Sequence, residues 1–206
     1  FWIPASIPTD SLKRNASVVS SKLVFIGTLN SKNGVYILPK IVRYLKDHGV
    51  VNIGLDIMGD GPDRKMLEGQ IKELDLTKNI RLFGNLRFEE FADKLTYYQA
   101  GIVSYEFSED NLLQTTDSMK QRLYAAAGLP IVITKGFDFS SEVEKNAIGI
   151  SVPFGVESFA KALLKLLTDT ILANKMRKTA LLYSKKYDLH TFYQRAFAKI
   201  LEDKKL

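Results

Sequence analysis

The residues best equipped for chemistry in this chain are Lys120 and the polar run before it, Thr115-Thr116-Asp117-Ser118. Hydroxyls, the free N–H groups of an opening helix and an ammonium in its first turn together form a site for an anion, phosphate above all. A lysine in a first helical turn opposes the helix dipole, which a bound anion would offset; a solvated surface lysine is the competing reading. Two glycine turns could share the work. Gly27-Thr28-Leu29-Asn30-Ser31-Lys32-Asn33-Gly34 follows an apolar run and lets backbone approach a ligand. Its spacing is not G-x-G-x-x-G, so the dinucleotide fingerprint is absent, and a plain strand-to-helix turn explains it as well. The second turn is Gly59-Asp60-Gly61-Pro62, with Asp60 read as a helix cap. Phe83-Gly84-Asn85 is weaker: its Phe is either core or a contact for a base.

Each of these turns needs a strand before it and a helix after it, and the pattern supplies them. Short runs rich in strand formers fall at 23–26, 52–58, 80–83, 100–105, 130–134 and 148–153. Between them, Leu38, Ile41, Val42 and Leu45 mark one helical face over 35–48, with Pro39 in its first turn and Gly49 as the stop. Pro62 opens the next helix, whose apolar side is Met66, Ile71 and Leu74. Helices are expected also over 88–99, 120–127 and 140–146. From about 156 the chain is helical, with Phe159, Leu163 and Leu166 on one segment and Tyr193, Phe197 and Ile200 on another, broken near Tyr187-Asp188-Leu189. Six strands alternating with helices predict an α/β, Rossmann-like, doubly wound parallel sheet whose crevice lies at the carboxyl ends of the strands. That architecture hosts many functions and names no ligand.

Composition narrows the field. At 206 residues the chain suits one well-buried domain, and 46% hydrophobic with 25% charged residues excludes a disordered class. With no cysteine, disulfides and cysteine-ligated metals are excluded, which fits a reducing compartment. His48 and His190 lie too far apart to suggest a metal pair and are read as helix-end or surface residues. No apolar run reaches the ~18 residues of a membrane span. The net charge of +6 is concentrated late: from Val156 onward there are 11 Lys and Arg against 5 Asp and Glu. A solvated helical face is one reading, and weak attraction to an anionic membrane surface or lipid-linked acceptor the other. Nucleic acid is not expected, because no basic stripe is interleaved with aromatics.

In order and spacing, the Gly27–Gly34 loop, the Gly59-Asp60-Gly61-Pro62 turn, Leu82-Phe83-Gly84 and the segment from Met119-Lys120 through Tyr124, Ala126 and Gly128-Leu129-Pro130 resemble the nucleotide-sugar-binding, C-terminal domain of a GT-B glycosyltransferase of the group 1 type. The resemblance covers residues 3 to 200. It implies that residues 1–15 are an interdomain linker, that 16–206 are the donor-binding domain, and that the chain is a fragment lacking its acceptor half. It further implies a diphosphate over Thr115, Thr116, Asp117 and Lys120, with Lys120 neutralising the leaving group. Gly27, Thr28 and Lys32 would close over the phosphates, Gly59 and Gly61 would form the adjoining turn, and the base would sit near Phe83 and Gly84. No metal and no cofactor beyond the donor are implied, and the setting would be cytoplasmic synthesis of surface polysaccharide or lipid-linked glycan.

Four positions depart from the family pattern. Thr28 stands where an arginine is usual, and Asn33 where a lysine is usual, with Lys32 adjacent. Thr115 and Leu123 occupy the positions of paired glutamates eight residues apart. Leucine cannot accept from ribose hydroxyls, and a lost charge-assisted bond costs about 1.5–3 kcal/mol. A degenerate subunit that binds a partner without turnover is therefore the alternative function.

Overall fold

The computed structural model describes residue 12, residues 20–106, residues 119–188, and residues 193, 194 and 197. Six strands lie among them: β1 (Lys22–Ile26), β2 (Gly54–Met58), β3 (Ile80–Gly84), β4 (Ala100–Val103), β5 (Ile131–Thr134) and β6 (Gly149–Val152). Every pairing is parallel and the order is β3-β2-β1-β4-β5-β6. The order reverses between β1 and β4, and at that switch point a doubly wound sheet opens its crevice.

Seven α-helices among the described residues alternate with the strands: α1 (Leu38–Asp47), α2 (Arg64–Glu73), α3 (Phe88–Leu95), α4 (Met119–Ala126), α5 (Asp138–Lys145), α6 (Val156–Thr168) and α7 (Thr170–Ser184). The period-2 alternation of the strands divides the core in two. Leu23, Phe25, Leu55 and Ile57 pack with Ile41, Leu45, Leu67, Phe159 and Leu163 from α1, α2 and α6. Val24, Met58, Val103 and Ile131 face the other way, onto Leu95, Tyr124, Phe139 and Ala180 from α3, α4, α5 and α7. Both faces of the sheet are thus covered, which a parallel sheet requires. Each fully buried Phe or Leu contributes roughly 1.5–3 kcal/mol.

Three expectations are corrected. Pro62 lies in a turn, and α2 begins two residues later at Arg64, because the chain first folds back onto Leu29: the Asp63 N–H donates to the Leu29 carbonyl at 3.0 Å. Leu67, not Met66, carries the apolar side of α2, and Met66 is exposed. The helical tail breaks at Asp169, not first near Tyr187: the Asp169 carboxylate accepts from the Leu172 N–H at 2.9 Å and caps α7. The apolar spacing of α6 and α7 reads as continuous, and only the cap separates them. Pro39 falls in the first turn of α1, as the sequence predicts. His48 ends that helix and stacks on Tyr44 with ring centroids 3.9 Å apart.

Helix α7 is fastened to the sheet by Arg177, which is fully buried and donates from Nη2 to the Tyr98 carbonyl at 2.8 Å. Burial pushes its pKa down to about 10, well above any physiological pH, so the charge stays. Of the expected linker, only Leu12 is described, buried against the α3–α4 face. Among the described residues no helix is long and apolar enough to cross a membrane.

Candidate functional site

At the carboxyl ends of β1, β2 and β3 the three glycine turns are bonded to one another. The Gly27 N–H donates to the Met58 carbonyl at 3.0 Å, Leu29 N–H to Asp60 at 3.0 Å, and Gly59 N–H to Gly84 at 2.8 Å. Gly59 is required by this contact: its φ is +137°, and a Cβ there would lie 2.0 Å from the Gly27 carbonyl oxygen. Its neighbour Gly61 meets the Leu29 backbone in the same way. These two glycines therefore serve turn-on-turn packing. Asp60 does not cap α2: its Oδ1 accepts from the Gly61 N–H at 2.8 Å and its Oδ2 lies 3.5 Å from Arg64.

Lys120 closes this arrangement from α4. It is half-buried, which sets aside the reading of a solvated surface lysine. Its Nζ donates to Asn33 Oδ1 at 3.2 Å and sits 4.4 Å from the Tyr105 ring centroid and 5.1 Å from that of Phe25. A Cβ on Gly27 would come within 3.0 Å of Nζ, so the ammonium faces the Gly27 loop directly. No carboxylate among the described residues pairs with it. Desolvation pushes its pKa down to about 7, where bulk lysine stands near 10.5. Aromatic faces and one amide oxygen only partly replace the lost water.

Asn33 is the junction. Its side chain accepts from Lys120 and donates from Nδ2 to the Thr28 carbonyl at 2.9 Å, while its own N–H is capped by Asn30 Oδ1 at 2.9 Å. Ser104 at the end of β4 donates to the Asn33 carbonyl at 2.9 Å, and Glu106 N–H to the Lys32 carbonyl at 3.0 Å. The loop after β1, the end of β4 and the head of α4 are thereby locked together across the switch point.

Of the residues singled out by sequence, Gly27, Gly59, Gly61, Gly84 and Lys120 converge on this corner. Thr28 and Lys32 are exposed on the loop above it. Phe83 is half-buried, packs on the α3 side of the core and carries the Arg81 guanidinium 5.2 Å from its ring centroid. Thr115, Thr116 and Asp117 lie outside the described residues. The sequence reading missed Tyr105 and Arg64. Arg64 brings Nη1 to 3.7 Å from a Cβ placed on Gly84 and is held by Glu68 at 3.0 Å. Its i, i+4 spacing to Asp60 and Glu68 was the available signal. A recess of about 260 Å³ opens beside the turns, lined by Ile26, Gly27, Thr28, Met58, Gly59, Asn85, Leu86 and Phe91. No carboxylate is among these lining residues, and Leu123 is only 7% exposed, packed in the α3–α4 core.

A backbone crevice over an ammonium at the switch point, with no carboxylate partner among the described residues, is the charged corner of this Rossmann-like fold. The family model "Glycosyl transferases group 1" matches residues 20–169, and the chain belongs to that family. Solved structures agree in fold. The glycosyltransferase WaaG, involved in lipopolysaccharide biosynthesis, superposes with a TM-score of 0.70 at 18% identity, over 85% of this chain and 45% of its own. Sucrose-phosphate synthase from Thermosynechococcus elongatus gives 0.74 at 16% identity, over 96% and 52%. HepE from Anabaena, solved with UDP and glucose, gives 0.73 at 16% identity, over 90% and 49%. The chain thus spans about half the length of these GT-B structures. No curated protein matches it by sequence.

Proposed function

We propose that this chain is the donor-binding half of a glycosyltransferase that moves a hexose-type sugar from a nucleoside diphosphate sugar to a glycan or lipid-linked acceptor. The observation that carries this reading is the Lys120 ammonium, desolvated, facing the Gly27 loop and without a carboxylate partner among the described residues. A diphosphate there would supply the missing counter-charge, and the ammonium would stabilise the negative charge that builds on it as the glycosidic bond breaks. Thr28 and Lys32 stand over the same opening, and Thr116 with Asp117 would complete the phosphate contacts. No metal is assigned a role; the lysine takes the electrostatic part that a cation could otherwise fill. The acceptor and any general acid or base belong to an N-terminal domain outside this chain. The setting proposed is cytoplasmic synthesis of cell-surface polysaccharide, at the inner face of the plasma membrane.

A second reading, a degenerate subunit that acts through a partner, has its own support. Leu123 is buried where the family glutamate would hold the ribose, and Asn33 spends its side chain on Thr28 and Lys120. Calorimetric titration with UDP-, GDP- and ADP-sugars separates the two. Saturable binding of one of them, with the free nucleoside bound far more weakly, is expected. Failure of all three to bind would leave the degenerate reading standing.

A further inference from the structure

The opposite edge of the sheet carries a larger and more charged cleft. At the amino ends of β1, β2 and β3 a hollow of about 540 Å³ is lined by Lys22, Lys46, Lys78, Arg81, Asn79 and Asp56, among others. Four cationic side chains thus meet one carboxylate, and that carboxylate is already spent. Asp56, 5% exposed, accepts from Arg81 Nε and Nη2, each at 3.0 Å, and from the Tyr98 hydroxyl at 2.6 Å. The bidentate geometry fixes the Arg81 guanidinium at the mouth of the cleft, and the side chain of Arg81 is itself 59% exposed. Lys46 is fixed as well: Nζ donates to Asn79 Oδ1 at 3.2 Å, and Asn79 is held by its Nδ2 on the Ile53 carbonyl at 2.7 Å. Lys22 and Lys78 are exposed on the rim and have no carboxylate partner among the described residues. Four cations against one carboxylate leave three positive charges in excess along the lining, and two of the four cations are held in place by chains of hydrogen bonds rooted in buried groups.

We propose that this cleft is a second anion site, which takes a ligand bearing several phosphate charges, separate from the crevice over Lys120. The five residues of β1 alone put roughly 15 Å between the two edges, so one small ligand cannot fill both. The arrangement suits a polyphosphate: a fixed guanidinium for contact with phosphate oxygens, one tethered ammonium on Lys46, and two mobile ammonium groups on Lys22 and Lys78 as point charges. At physiological salt the screening length is about 8 Å, so scattered surface lysines bind anions weakly and only converging ones hold them.

Calorimetry with inorganic tripolyphosphate at physiological salt tests this on the whole chain, using Lys120→Met to silence the first site and the double variant Lys22→Gln/Lys78→Gln to silence the second. Two equivalents are expected for the wild type. The double variant keeps its melting temperature and loses one equivalent by at least tenfold, while Lys120→Met keeps that equivalent. Wild-type uptake of tripolyphosphate that the double variant leaves unchanged overturns the proposal, whereas a single equivalent that the double variant loses and Lys120→Met keeps upholds it and counts against the crevice over Lys120 alone. Sedimentation with phosphatidic acid/phosphatidylcholine vesicles assigns the source of the phosphate. Pelleting that is lost in the double variant and competed by tripolyphosphate identifies a lipid headgroup, and tripolyphosphate binding without pelleting identifies a soluble anion.

Discussion

Lys120 makes the pH behaviour of the site a matter of sign. Its folded pKa, about 7, lies below the unfolded value near 10.5, so between these limits the unfolded chain holds more protons. The cost of burying the ammonium is therefore complete below pH 7, and stability from this group rises as pH climbs from 7 towards 10.5. A bound diphosphate reverses the preference, because it restores the charged form. Titration of a nucleoside diphosphate sugar at pH 8.5, in buffers of high and low ionisation enthalpy, is expected to show uptake of about one proton and affinity that falls with rising pH. Proton release on binding would remove Lys120 from the site. Lys120→Met keeps the volume without the charge: affinity drops at least tenfold, and the melting temperature at pH 6 is unchanged or higher. Leu123→Glu tests whether a ribose still fits. With Leu123 packed in the core, the new carboxylate lacks partners and costs several kcal/mol of stability, read by urea unfolding. A stable variant with tighter nucleotide binding would show the pocket to be open.

Among the elements, the glycines separate those that hold turns from those that do not. Gly59→Ala drives a Cβ into the Gly27 carbonyl and is expected to destabilise by more than about 2 kcal/mol. Gly69, within α2, has nothing within 4 Å of where a Cβ would stand, so Gly69→Ala gains up to about 1 kcal/mol of helix propensity and raises the melting temperature by a few degrees. The alternation of strands and helices was legible because apolar period and glycine turns are local signals. The start of α2 was not, since it is set by Asp63 bonding to Leu29. Nor was the tether between Asn33 and Lys120, 87 residues apart, where two ordinary polar positions acquire meaning only from the crossover that joins them. Asp169 could have been read as the cap of α7, with Thr168 and Thr170 beside it; the apolar rhythm on both sides hid it.

For the whole molecule, family and fold were legible from a few turn and helix-head residues such as Gly59, Gly61 and Lys120, whereas no residue of the chain announces an acceptor. The chain spans about half of the GT-B structures it matches, and catalysis needs acceptor and donor held against each other. The purified 206-residue chain is expected to transfer no sugar to an added acceptor while still binding nucleotide sugar. Turnover, followed by release of nucleoside diphosphate, would refute its being one half of a site. The three turns above the sheet carry one more consequence. Because the first turn donates backbone N–H groups to the second, and the second donates to the third and, through Asp63, back to the first, none can come loose alone, and solvent must reach them as a set. The amides of Gly27, Leu29, Gly59 and Asp63 should then exchange their hydrogens with one common opening free energy, so the mouth of the crevice behaves as a single cooperative latch.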